Sequence, residues 1–74
     1  MKIENWKRVI HTKEETTWQN KSNPDILVQV SDNFGRGFEI KLYNAKDDSW
    51  RNIGRESIKN RAVNKAIDFM RIYK

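Results

Sequence analysis

Cysteine is absent from the 74 residues. That excludes a disulfide scaffold, a thiolate zinc site and a thiol nucleophile together. Long apolar runs are missing too. They reach only two or three residues, as in Ile26–Val28, whereas a bilayer-spanning helix needs about 20. The opening Met1-Lys2-Ile3-Glu4-Asn5 lacks the apolar stretch of a secretory signal, so the expectation is a cytoplasmic protein with no membrane association. His11 is the single histidine. With no cysteine, and no carboxylate pair placed near it by a motif, it makes no catalytic signature, and no enzyme is expected. Glycine-rich phosphate loops and metal-ligand spacings are absent, so no cofactor or metal is implied. The acidic pair Asp47-Asp48 falls short of the ligand count of a calcium site and is explained by turn chemistry. No internal repeat, linker or low-complexity tract interrupts the chain, which reads as one domain over residues 1–74.

What is present is an uneven distribution of charge. In residues 1–48 eight basic and eight acidic side chains cancel. Residues 49–74 hold seven bases (Arg51, Arg55, Lys59, Arg61, Lys65, Arg71, Lys74) against Glu56 and Asp68, and so carry the whole net charge of +5. Such asymmetry makes a local positive field that attracts polyanions, nucleic acid first among them. A domain of this size with no covalent staple has about 3–5 kcal/mol of net stability. Its aromatic residues, or self-association, must supply much of that.

Two stretches alternate with period two. Ile26, Val28 and Val30 alternate with Leu27, Gln29 and Ser31, and Phe38, Ile40 and Leu42 alternate with Glu39, Lys41 and Tyr43. Each reads as a strand with one buried and one wet face. The intervening Asp32-Asn33-Phe34-Gly35-Arg36-Gly37 supplies the positive-φ positions of a hairpin loop. A second turn at 44–48 leads to a strand around 49–53, where Trp50 and Ile53 have opposite parity and so predict a bulge or an early strand end. Trp6–Thr12 and Thr16–Asn20 favour extended structure by composition, with a turn at 13–15 and a loop at 21–24. A short amphipathic helix over Ile3–Ile10 is the competing assignment.

Residues 58–73 carry helical periodicity, with Ile58, Ala62, Ala66, Phe69 and Tyr73 on one stripe and Val63 and Met70 beside it. Ser57 stands where an N-cap would, and Asn60, Arg61, Asn64, Asp68 and Arg71 form the polar face. The expected fold class is α+β: an antiparallel sheet of three to five strands with one C-terminal helix packed on it. Val28, Ile40, Leu42, Ala66 and Phe69 are the expected centre of the core.

The helix opens with Lys59 and Arg61, shortly after Arg55, although a first turn favours acidic residues. A phosphate at the free backbone N–H groups would reverse the sign of that interaction. Solvated surface bases, partly offset by Glu56, are the alternative. Trp50-Arg51 can stack on bases and grip phosphate, but tryptophan in so small a domain more often belongs to the core. Lys41 and Tyr43, opposite Phe38-Ile40-Leu42, are candidates for an exposed aromatic and basic surface. Phe34 and Arg36 at the loop tip either wedge into a groove or fold back on the sheet.

The run Ser57-Ile58-Lys59-Asn60-Arg61-Ala62-Val63-Asn64-Lys65-Ala66, following strands, resembles the last part of a double-stranded-RNA-binding domain. In that family a Lys-rich helix start with spaced alanines clamps phosphates; Lys59, Arg61, Ala62 and Ala66 correspond in kind, with one lysine where the family has a pair and no counterpart of its first helix. The whole chain is also similar to small archaeal β-β-β-α proteins in its early Trp6, its Thr16-Thr17-Trp18 strand and its closing Ala66…Phe69-Met70-Arg71 helix. That likeness implies no activity.

The expected function is nucleic-acid binding, DNA or RNA, mainly through phosphate contacts. Its candidate residues are Arg51, Arg55, Lys59, Arg61 and Lys65, with Arg36, Lys41 and Tyr43 outlying. The alternative is a protein-interaction or regulatory module, self-associating through a sheet edge or through the Phe69-Ile72-Tyr73 end of the helix. An RNase-like activity around His11 has the least behind it.

Overall fold

Wherever the sequence alternates, the chain forms sheet. A computed structural model describes residues 4–73. Its strands are β1 (Trp6–His11), β2 (Glu15–Asn20), β3 (Ile26–Asp32), β4 (Phe38–Asn44) and β5 (Ser49–Glu56), and its helix is α1 (Lys59–Ile72). The five strands pair antiparallel in chain order, so the sheet is a simple meander with β1 and β5 at its edges. The α+β architecture read from the sequence is the one observed. The helical alternative for the N-terminal segment is not: from Trp6 onward it is strand, paired through Trp6↔Asn20 and Arg8↔Trp18 to the Thr-rich β2. Ile3, where that alternative begins, lies outside the described residues. Glu15 starts β2 rather than closing the turn before it.

Helix α1 covers one face only. Its buried seam is Ala62, Ala66 and Met70, and the small alanines let it settle against Val28, Val30 and Ile40, all 0% exposed. Trp6, Trp18 and Ile26 complete the buried cluster, while Leu42, Phe69, Val63 and Tyr73 pack against it partly exposed. The expected centre is therefore right for Val28, Ile40 and Ala66. Phe69 and Leu42 sit at its margin instead, and Met70 takes the position expected of Phe69. Phe69 and Tyr73 stack at 5.7 Å, and Tyr73 meets Trp6 edge-on at 5.7 Å and 72°. The helix end is thereby fastened over the start of β1.

The helix start is held differently from expectation. The N-cap is Ile58, with φ −121° and no side-chain cap hydrogen bond, so Ser57 does not cap. Ile58 is half-exposed and does not join the apolar stripe. Instead, the Lys59 Nζ donates to the carbonyl oxygens of Thr12 (2.8 Å) and Lys13 (3.1 Å) in the β1–β2 turn. A lysine ties the first helical turn to the far edge of the sheet.

At the β3–β4 loop, Phe34 (φ +52°) and Gly35 (φ +79°) both adopt positive φ. This is the requirement of a type I′ turn, and Arg36 N–H donates to the Asn33 carbonyl across it at 2.9 Å. Phe34 does not fold back on the sheet; at 97% exposure it points into solvent.

Candidate nucleic-acid interface

One bulge decides what β5 shows to each side. Phe38↔Glu56 and Ile40↔Gly54 pair in step, but Lys41 then pairs with Asn52, leaving Ile53 as the extra residue. Without that bulge, with Ile53 paired in step, alternation from Gly54 would turn Asn52 and Trp50 under the helix. With it, Arg51 and Ser49 take that side, while Trp50 and Asn52 move to the face the helix leaves open. Ile53 itself packs against the core. The expected bulge is present; the expected burial of Trp50 is not, since Trp50 is 54% exposed.

On the open face Trp50 meets Tyr43, with ring centroids 4.4 Å apart at 38°. Leu27 lies beside Tyr43 in register, so β3, β4 and β5 contribute one apolar side chain each to a row. The Tyr43 hydroxyl donates to Asp48 at 2.7 Å. This bond, reinforced by desolvation and by the charges of Asp48 and Asp47, holds the phenol above its ordinary pKa. The next two rows on this face hold cations: Lys41 lies 3.3 Å from Glu39, and Arg55, in register with Glu39, lies 3.4 Å from it. The hydrogen bond from Lys41 acts first, with the Arg55 guanidinium adding to it against desolvation, and the Glu39 carboxyl is kept below the usual glutamate range. Lys41 also sits 6.0 Å from the Trp50 ring centroid, at the outer reach of a cation–π contact.

The β2 side of this face is closed by its own hydrogen bonds. Glu15 Oε2 accepts from the Thr17 hydroxyl at 2.9 Å and from the Gln29 amide at 2.8 Å. Thr17 is buried despite its polarity. This network separates the exposed groups of the β4–β5 half from Lys7 and Ile10 of β1 on the same face.

The residues singled out from sequence do not form one patch. Lys41, Tyr43 and Arg55 share the open face. Arg51, Arg61 and Lys65 lie on the helix side of β5, where Lys65 crosses the bare backbone of Gly54, its Cε 3.0 Å from where a Cβ would stand. Its Nζ reaches Glu56 at 3.5 Å. Arg36 is apart from both groups, exposed in the β3–β4 loop. Lys59 donates to two backbone carbonyls, so its ammonium is engaged with the β1–β2 turn rather than standing free at the helix start. Among the described residues Arg36, Arg51 and Arg61 make no ion pair.

Comparison with family models, with curated proteins and with solved structures finds no match. The site must be read from its own chemistry. Among the described residues no group of three or more His, Asp or Glu is placed to hold a metal ion, and no helix is long and apolar enough to cross a membrane. His11 Nδ1 faces the Thr16 hydroxyl at 3.4 Å on an exposed strand. The helix end named for self-association is largely occupied: Phe69 packs on Tyr73 and Tyr73 on Trp6, leaving Ile72 at 75% exposure. Trp50 and Leu27 are the functional candidates that sequence reasoning misplaced or passed over. The parity clash between Trp50 and Ile53 was the signal for the first; for Leu27 only its register beside Tyr43 identifies it.

Proposed function

We propose that this chain is a small nucleic-acid-binding module that grips phosphate through cations on both sides of strand β5. The observation that carries the reading is the half-exposed Trp50 on an edge strand whose arginines diverge, Arg51 to the helix side and Arg55 to the open face. Exposed tryptophan costs solubility unless a partner covers it, and neighbouring guanidinium groups suit a phosphate-bearing partner. Arg61 and Lys65 of α1 extend the basic rim beyond Arg51. The charged side chains and the bulge of β5 also protect that edge from pairing with another strand, which weighs against self-association there.

Salt dependence tests the reading. Each neutralised phosphate releases condensed counterions, so log affinity falls linearly with log salt concentration. Replacing Arg51 and Arg61 together by alanine flattens that slope by roughly 1.4 on a single strand or 1.8 on B-form duplex if both touch phosphate. Neutralising Lys13 and Lys21, in the turns at the two ends of β2, leaves the slope almost unchanged. Equal losses at the two pairs would assign binding to diffuse charge, and absence of binding at low salt would leave a protein partner as the reading to pursue.

A further inference from the structure

We propose that the open face of the β4–β5 hairpin binds single-stranded nucleic acid, with an unpaired base stacked on Trp50 and its backbone lying along Lys41 and Arg55. This rests on the nucleic-acid reading above and names the form of nucleic acid. A duplex keeps the faces of its bases inside the stack and offers only their edges in its grooves. An exposed ring on a sheet surface cannot reach those faces. A single strand presents them freely, and stacking on an aromatic side chain is worth enough to determine where it binds.

The geometry favours that partner in three respects. Trp50 is 54% exposed while Tyr43, 4.4 Å away, backs it from the inner side, so one ring supports and the other is available. The Tyr43 hydroxyl is anchored on Asp48, which fixes the supporting ring. Charge then gives the strand a direction. Asp47 and Asp48 stand at the turn beyond the aromatic row, and there they repel phosphate. Lys41 and Arg55 stand on the other side of that row and share one carboxylate, Glu39, between them. Tyr43 and Glu39, the partners of Trp50 and Arg55, are four residues apart on β4. The stacked base and the Arg55 contact are therefore separated by about 14 Å along the sheet. The network of Glu15, Thr17 and Gln29 bounds the platform on its β2 side.

Tryptophan emission provides the test, because Trp6 and Trp18 are only 5% and 6% exposed and a bound strand reaches Trp50 alone. The protein is titrated at low salt with a short oligothymidylate, a short oligouridylate and a blunt mixed-sequence duplex. The two single-strand arms distinguish DNA from RNA as the source of the ligand. The expected result is quenching by a single strand, with weaker affinity for the duplex. Trp50→Ala should reduce single-strand affinity roughly 5- to 150-fold, and Trp50→Phe should restore most of it. Circular dichroism checks that the variants fold, and the comparison of strand with duplex on the unaltered protein needs no variant at all. Duplex bound as tightly as single strand, with tryptophan emission unchanged, would overturn the proposal and leave the phosphate-binding reading standing. No binding of any of the three probes would overturn both.

Discussion

Two glycines in the β3–β4 loop make a matched pair for testing how the hairpin is fitted to the rest of the fold. Gly35 has φ +79° and open space where a Cβ would be. Gly37 has φ +102°, and its Cβ would stand 2.8 Å from the Glu56 carbonyl oxygen and 3.3 Å from the Ser57 Cα. Placing an L-residue at positive φ costs roughly 1–2 kcal/mol, and the lost freedom of the unfolded chain returns about 0.4–1 kcal/mol. Gly35→Ala should therefore cost about 1 kcal/mol. At Gly37 the same terms apply, and the backbone of β5 cannot rotate away as a side chain would. Overpacking adds about 1–3 kcal/mol, for a total of roughly 2–4 kcal/mol. For a domain holding only about 3–5 kcal/mol, that is most of its stability. Urea unfolding followed by tryptophan emission reads the difference. With a slope near 1 kcal/mol per molar, the midpoint should fall by about 1 M for Gly35→Ala and by about 2–4 M for Gly37→Ala. Equal shifts would mean that the loop does not abut the end of β5 and that backbone conformation alone sets the cost.

Three further outcomes are expected. Glu39 is held below its ordinary pKa, so its pairing stabilises the folded chain at neutral pH and is lost as acidification passes through that lowered value; Glu39→Gln should flatten the acid limb of a plot of urea midpoint against pH. Lys59→Met, which leaves the Thr12 and Lys13 carbonyls without their donor, should cost about 1 kcal/mol by chemical unfolding. It should alter nucleic-acid affinity less than Arg61→Ala, and the reverse order would return Lys59 to the phosphate contacts. Deleting Ile53 removes the bulge but keeps Asn52 opposite Lys41 and Trp50 opposite Tyr43, so Trp50 stays on the open face. Iodide quenching of tryptophan emission should therefore be unchanged in that variant, and a clear drop would show that Ile53 is not the extra residue that sets the register.

The sequence by itself determined the β3–β4 hairpin, the C-terminal helix and the location of the net charge, because each depends on near neighbours. Alternation over 26–31 and 38–43 assigns strand faces, the spacing of Ala62, Ala66 and Phe69 assigns a helix stripe, and charge is a matter of counting. The parity of Trp50 and Ile53 even announced the bulge. What only the tertiary structure decided was its consequence, since a bulge says that register changes but not which side chain is left buried. Ile53 has a core to enter beside Gly54, so it takes the inner side and Trp50 is turned out. Lys59 likewise finds its acceptors 46 and 47 residues away, a separation at which no local pattern speaks. The basic third of the chain looked like one site along the sequence. Folding divides it between the two faces of β5, because the Ile53 bulge puts Arg51 and Arg55, four residues apart, on opposite sides and the helix returns along only one of them.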